Sequence, residues 1–264
     1  YAPDERSTYT FEAFYNGYRE EWSNNLMFSF ADWWGSLGEN PGETISLIPG
    51  TNIIKERTVF FPYGFMSGDY TEQDTDSYIY SLTGEWLVGD ALELKADLSY
   101  QESEFNTQFF GMRTERVTYG IDVDFNDREG MPGWSFLDDP ATADVDESDM
   151  TDPNQWTIAQ MYDNAGRTKG DALTFTVDGD YDTGWEFFEL IEFGIRYDDR
   201  EATEGERTQD APGLFQPLAN YPELQKFNSG YMDGEADIPQ EAILADARYV
   251  NDTAEEIREL YRST

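Results

Sequence analysis

Residues 92–100 place Leu92, Leu94, Ala96, Leu98 and Tyr100 on one parity and Glu93, Lys95, Asp97 and Ser99 on the other. Side chains of a β-strand point alternately to its two faces, so this segment is a strand with one apolar and one polar side. The pattern recurs. Segment 7–15 sets Tyr9, Phe11, Ala13 and Tyr15 against Thr8, Thr10 and Glu12, and 78–88 sets Tyr78, Tyr80, Leu82, Trp86 and Val88 against Ser81, Thr83 and Glu85. Segments 117–125, 173–181 and 187–197 alternate in the same way, and a weaker strand is expected at 131–137. Gly89-Asp90 reads as a tight turn into residue 92, and Asp182-Thr183-Gly184 as another.

The connections between these segments fall into two classes. Residues 89–91, 126–130 and 182–186 are short, whereas 16–77, 101–116, 138–172 and 198–264 are long. Tracing the strands up and down puts every short turn at one end and every long loop at the other. Loops beyond about 12–15 residues are uncommon in compact domains, and a one-sided excess of them is the habit of outer-membrane barrels. The expected fold is therefore all-β: an antiparallel up-and-down meander forming part of a transmembrane β-barrel, with long extracellular loops carrying some helix. Helix is expected within 240–262, where Ile243, Leu244, Ala247, Val250, Ile257 and Leu260 recur among charges, with a break near Asn251-Asp252. The acidic run 138–153 is expected to be solvated.

The apolar parity of the five clearest segments holds no charged residue. A Lys or Arg on the lipid face at the bilayer midplane costs about 2–4 kcal/mol, so an uncharged face is what lipid contact requires. Aromatics gather at the segment ends: Tyr78, Tyr80 and Tyr100 on the loop side, Trp86, Phe125, Tyr181 and Trp185 on the turn side, as in interfacial girdles. On this reading Glu93, Lys95, Asp97, Asp122, Asp124, Asp178 and Asp180 face a lumen. A soluble secreted or periplasmic acidic β-protein that binds carbohydrate or another ligand makes the same alternation with its apolar face inward, and stands as the alternative.

Composition narrows the chemistry. Lys+Arg 17 against Asp+Glu 55 gives a net charge of −38, which repels nucleic-acid phosphates. With no Cys and no His, disulfides, thiolate metal sites, His-based zinc sites and serine–histidine triads are excluded within this chain. No run of about 18 apolar residues is present for a transmembrane helix, a criterion that spanning strands of about 9–11 residues escape. The start at Tyr1 and the polar stop at Arg262-Ser263-Thr264 read as those of a partial chain.

Trp22, Trp33, Trp34, Trp156 and Tyr162 fall in expected loops, where exposed rings would stack on sugars. Asp122-Val-Asp124-Phe-Asn126-Asp127 starts like a calcium loop, but Asp127 and Gly133 occupy the places where Gly and Glu are required. A flexible Ca²⁺ loop at Asp144, Asp146, Glu147 and Asp149 matches no defined spacing. No metal site, cofactor or catalytic group is assigned, and the chain is not expected to be an enzyme.

Three stretches carry a family resemblance: Leu92–Phe105 (LELKADLSYQESEF), Trp156–Asp182 (WTIAQMYDNAGRTKGDALTFTVDGDYD) and Ile191–Arg207 (IEFGIRYDDREATEGER). They resemble barrel segments of TonB-dependent outer-membrane receptors, especially those associated with carbohydrate uptake. FGIRYDDRE is similar to the family's strand ending before a long extracellular loop. The likeness spans about residues 75–205 and implies a barrel of about 22 strands around a plug. It also implies location in the outer membrane, contact with its lipid, energy from the TonB complex through the plug, and capture of an extracellular nutrient such as an oligosaccharide. Plug, TonB box and terminal aromatic strand are not among these residues. Seven strands do not close such a wall, and an open edge is not tolerated in lipid.

Overall fold

The computed structural model describes residues 1–31, 42–128, 130–142 and 144–263. In chain order the strands are β1 (Ser7–Ser29), β2 (Thr44–Leu47), β3 (Ile54–Phe60), β4 (Tyr63–Val88), β5 (Leu92–Val117), β6 (Gly120–Arg128), β7 (Met131–Leu137), β8 (Thr157–Asp182), β9 (Leu190–Thr208), β10 (Gln216–Pro217), β11 (Gln225–Ser229) and β12 (Glu241–Ala245). Helices α1 (Ala247–Asp252) and α2 (Ala254–Arg262) follow. The long strands form an open up-and-down sheet in the order β1-β4-β5-β8, with β9 and the short β10 both pairing with β8. Separate sheets are formed by β2-β3-β6-β7 and by the β11–β12 hairpin. The fold is all-β and antiparallel, as the alternation requires.

Strand length differs most from expectation. β4 and β5 each run 26 residues, so much of the expected loops 16–77 and 101–116 is strand, as is the second half of 138–172. Beyond the alternating segments both parities turn polar, as in Thr71–Ser77 and, apart from Phe105, Gln101–Gln108, and the period-2 signal vanishes although the backbone stays extended. What holds these stretches is cross-strand hydrogen bonding, such as Ser77 with Ser103 (2.7 Å) and Asn106 Nδ2 donating to Asp74 (3.1 Å). A second correction concerns 117–125. Its strand is β6, and it belongs to the four-stranded sheet, not to the meander. The chain leaves β5 at Thr118-Tyr119, whose backbone bonds Pro62 and Phe61 next to β3, the strand with which β6 then pairs. β9 starts at Leu190, three residues later than expected.

The chain divides into two compact units. The first comprises 1–21, 72–108 and 165–207, segments of the long strands with the turns at 89–91 and 183–189; no helix belongs to it. Gly89 adopts φ 65° in the β4–β5 turn, a left-handed conformation in which a side chain is strained, and Arg6 bonds the Gly89 carbonyl (2.8 Å) and Asp90 (3.0 Å).

The second unit comprises 22–71, 109–164 and 208–264. Its core joins Met66, Phe110 and Met112 of β4 and β5 to Trp156, Ile158, Leu218, Leu224, Leu244 and Val250, all at most 2 % exposed. α1 is started by Asp246, whose carboxylate accepts from the Arg248 and Tyr249 amides. α2 begins with Glu255 and Glu256 and ends with Arg262, charges that suit its dipole. The expected helical break lies at Thr253, between the two helices. The acidic run 138–153 is anchored at one end: buried Arg116 donates to the Glu147 carbonyl (2.8 Å) and lies between the rings of Phe136 and Trp156.

Candidate functional site

In the first unit the alternation becomes two unlike sheet faces. Leu92–Tyr100 and Leu173–Tyr181 supply nine-residue apolar rows, and Phe193 closes over Gly179 against Leu94. Nothing in the unit covers this face: Leu98 is 44 % exposed, Phe175 41 % and Ile195 67 %. At one margin the parity of each row turns charged and ion-paired, with Lys169 to Glu102 at 2.6 Å and Arg167 to Glu104 at 2.7 Å. Tyrosines mark the change. The Tyr15 and Tyr78 rings lie 5.0 Å apart, and the Tyr15 hydroxyl donates to Asp76 (2.6 Å). At the other margin Trp86 Nε1 donates to the Tyr9 hydroxyl (2.9 Å). The uncharged rows thus have the length of a spanning strand segment, bounded by rings with one apolar and one polar end.

On the opposite face, Glu93, Lys95, Asp178 and Asp180 line one open depression of about 430 Å³ together with Glu85. Lys95 lies 3.7 Å from Glu85, and Asp97 accepts from Thr83 (2.5 Å). Five of the expected lumen residues therefore share a sheet face. Gly194 on this face leaves the space that the Asp178 carboxylate occupies.

Asp122 and Asp124 do not join them, because β6 lies in the four-stranded sheet. Register there builds two polar rows: Thr44, Thr58, Asp122 and Ser135 in one, and Ser46, Glu56, Asp124 and Gly133 in the next. Thr58 donates to Asp122, and Lys55 bridges Asp124 (2.8 Å) and Glu56 (2.6 Å). Hydrogen bonding from Lys55 holds both carboxylates below their ordinary range, and the two of them raise Lys55 in turn. The rows line an open cavity of about 440 Å³ with Asp127 and Asp237 at its side. The other parity, Ile121 and Val123, is buried, so this segment's apolar face meets protein, not lipid.

The expected ligand-binding aromatics separate. Trp33 and Trp34 lie outside the described residues. Trp156 is 1 % exposed and packs in the core, which corrects its assignment as a ring displayed for stacking: it follows the short turn at Pro153–Gln155 straight into buried Ile158. Trp22 is partly exposed on β1. Tyr162 is half-buried on β8, with Arg113 of β5 4.5 Å from its ring. Arg113 also lies 4.4 Å from the ring of Phe65 on β4, and Phe65 stacks on Phe28 of β1 at 4.9 Å. The order β1-β4-β5-β8 is that of the sheet, so Phe28, Phe65, Arg113 and Tyr162 make one row across four strands. Their chain neighbours Met66, Met112 and Met161 are buried on the opposite face. Sequence reading missed Phe65 and Arg113, because they lie in stretches read as loop and meet the other two only through strand pairing.

Among the described residues no group of three or more acids is placed to hold a metal ion, the run at Asp144–Asp149 included. Asp146 and Asp149 there accept from nearby backbone amides and hydroxyls, as turn residues do. The sequence matches no protein-family model, and no curated protein matches it.

Proposed function

We propose that this chain is part of a TonB-dependent outer-membrane receptor, its long strands forming a section of the barrel wall. On this reading the belt of Leu98, Phe175 and their neighbours faces lipid, and Glu93, Lys95, Asp97, Asp178 and Asp180 face the lumen. Extracellular loops capture a nutrient such as an oligosaccharide. Uptake itself rests on a plug and the TonB complex, neither of which is among these residues. The observation that carries the reading is the uncharged belt: uncovered, about nine residues tall, and edged by aromatics before the same parity turns ionic. A water-exposed sheet gains nothing from such a face, which in a soluble protein would be covered.

The absence of cysteine makes site-directed spin labelling direct. In liposomes a nitroxide at Leu98→Cys is expected to be accessible to oxygen and shielded from a water-soluble nickel reagent, with the reverse at Asp97→Cys. A chain that stays monodisperse and monomeric without detergent, with both positions open to the nickel reagent, overturns the assignment in favour of a soluble acidic β-protein.

A further inference from the structure

Acids outnumber bases 55 to 17 in this chain, yet Arg113 has no carboxylate within ion-pair distance among the described residues. Asp69, which interacts with it by charge, and Glu115, two residues along β5, are engaged elsewhere: Glu115 accepts from the Tyr63 hydroxyl (2.6 Å), and Asp69 accepts from the Ser67 hydroxyl. What Arg113 has instead is two aromatic walls. Phe65 and Tyr162, on the strands either side, hold the guanidinium at 4.4 and 4.5 Å from their centroids. The guanidinium carbon lies over both rings, and the N–H groups keep the fork that matches an oxyanion. The group is half-buried, so its donors lie where an ion pair is stronger than at an open surface. Next to it the Phe28–Phe65 stack continues the row as an apolar strip.

We propose that Arg113 is a binding site for the carboxylate of a small monoanionic ligand, whose apolar or ring-shaped body lies along Phe65 and Phe28. Charge selects the monoanion. With Glu115 and Asp69 nearby and a net charge of −38, a phosphate dianion meets more repulsion than a single carboxylate does, while the fork serves both equally. A neutral ligand leaves the guanidinium donors unmet. The site belongs to the second unit alone and stands whether or not the belt meets lipid.

The test follows the Arg113 Nε–H signal by NMR in the full chain, during titration with benzoate, phenyl phosphate or benzamide. R113K assigns the signal. Benzoate is expected to shift it saturably, phenyl phosphate to bind at least tenfold more weakly, and benzamide to leave it unmoved. R113K, which keeps the charge and loses the fork, is expected to weaken benzoate at least tenfold. Y162L, which removes one wall, weakens it too and serves if R113K does not fold. A purely structural stack is revealed by a signal that does not respond to benzoate. Equal responses to benzoate and benzamide, tighter binding of phenyl phosphate, or unchanged benzoate affinity in the variants also overturn the proposal.

Discussion

A methyl group at Gly68 has no room: the Ala245 carbonyl, at the junction of β12 with α1, occupies its place. Gly68→Ala is expected to cost about 1–3 kcal/mol, because a backbone atom and not a flexible side chain must move. Urea unfolding of the variant against the parent chain reads that cost. Asp163 presents a different case. It is fully buried and bonded by Arg258 of α2 at 2.8 Å, while Arg258 also lies over the Phe110 ring. Arg258→Ala removes this ion pair from a buried carboxylate, and about 3–5 kcal/mol of destabilisation is expected. Hydrogen exchange should show the loss first in α2 amides; unchanged protection there would mean that the pair does not dock the helix. Neither feature was legible beforehand. Gly68 and Asp163 sit in stretches read as loop, and their partners are 177 and 95 residues away along the chain.

Pairing, more than propensity, decides the elements. β7 matches the expected 131–137, and the β4–β5 hairpin turns at Gly89-Asp90 as read, because each is local. Alternation identifies β6 as a strand but not its sheet, because it specifies faces and says nothing about neighbours. In the sheet it does join, β3 and β6 are linked by Lys55 with Asp124. Asp124 and Glu56 have lowered pKa values, so they add stability above the ordinary carboxylate range and lose it as pH falls through their depressed values. Lys55 stays protonated throughout that window. Lys55→Ala is therefore expected to raise the Asp124 titration toward the ordinary carboxylate value and to move the onset of acid loosening of β3–β6 to higher pH. Carboxyl-carbon NMR titration checks this, and an Asp124 midpoint unmoved by the substitution refutes it.

At the scale of the whole chain the two faces of the meander set the behaviour. Leu98→Arg and Phe175→Arg put a cation in the middle of the uncharged belt, and each should lower membrane partitioning by about 2–4 kcal/mol. Thr176→Arg, one residue away on the polar face beside Asp97, is expected to leave it nearly unchanged. Refolding from urea into lipid vesicles measures all three. Equal penalties on both parities would overturn the proposal that one face meets lipid and the other a lumen.

The alternation at 92–100, by itself, determined strands, their two faces and the tight turns between them, because these depend on residues only one or two positions apart. Parity in this and the other segments marked Glu93, Lys95, Asp97, Asp122, Asp124, Asp178 and Asp180 as polar-face residues, but pairing decided that Asp122 and Asp124 belong to a different sheet from the other five. Only tertiary structure decided that polar stretches such as 101–108 remain extended, since their support is a partner strand and not an apolar side. Only it withdrew Trp156 into a core, and only it set Arg113 between Phe65 and Tyr162. Those three residues lie on three strands, and the order in which strands pair is carried by contacts that no local pattern records.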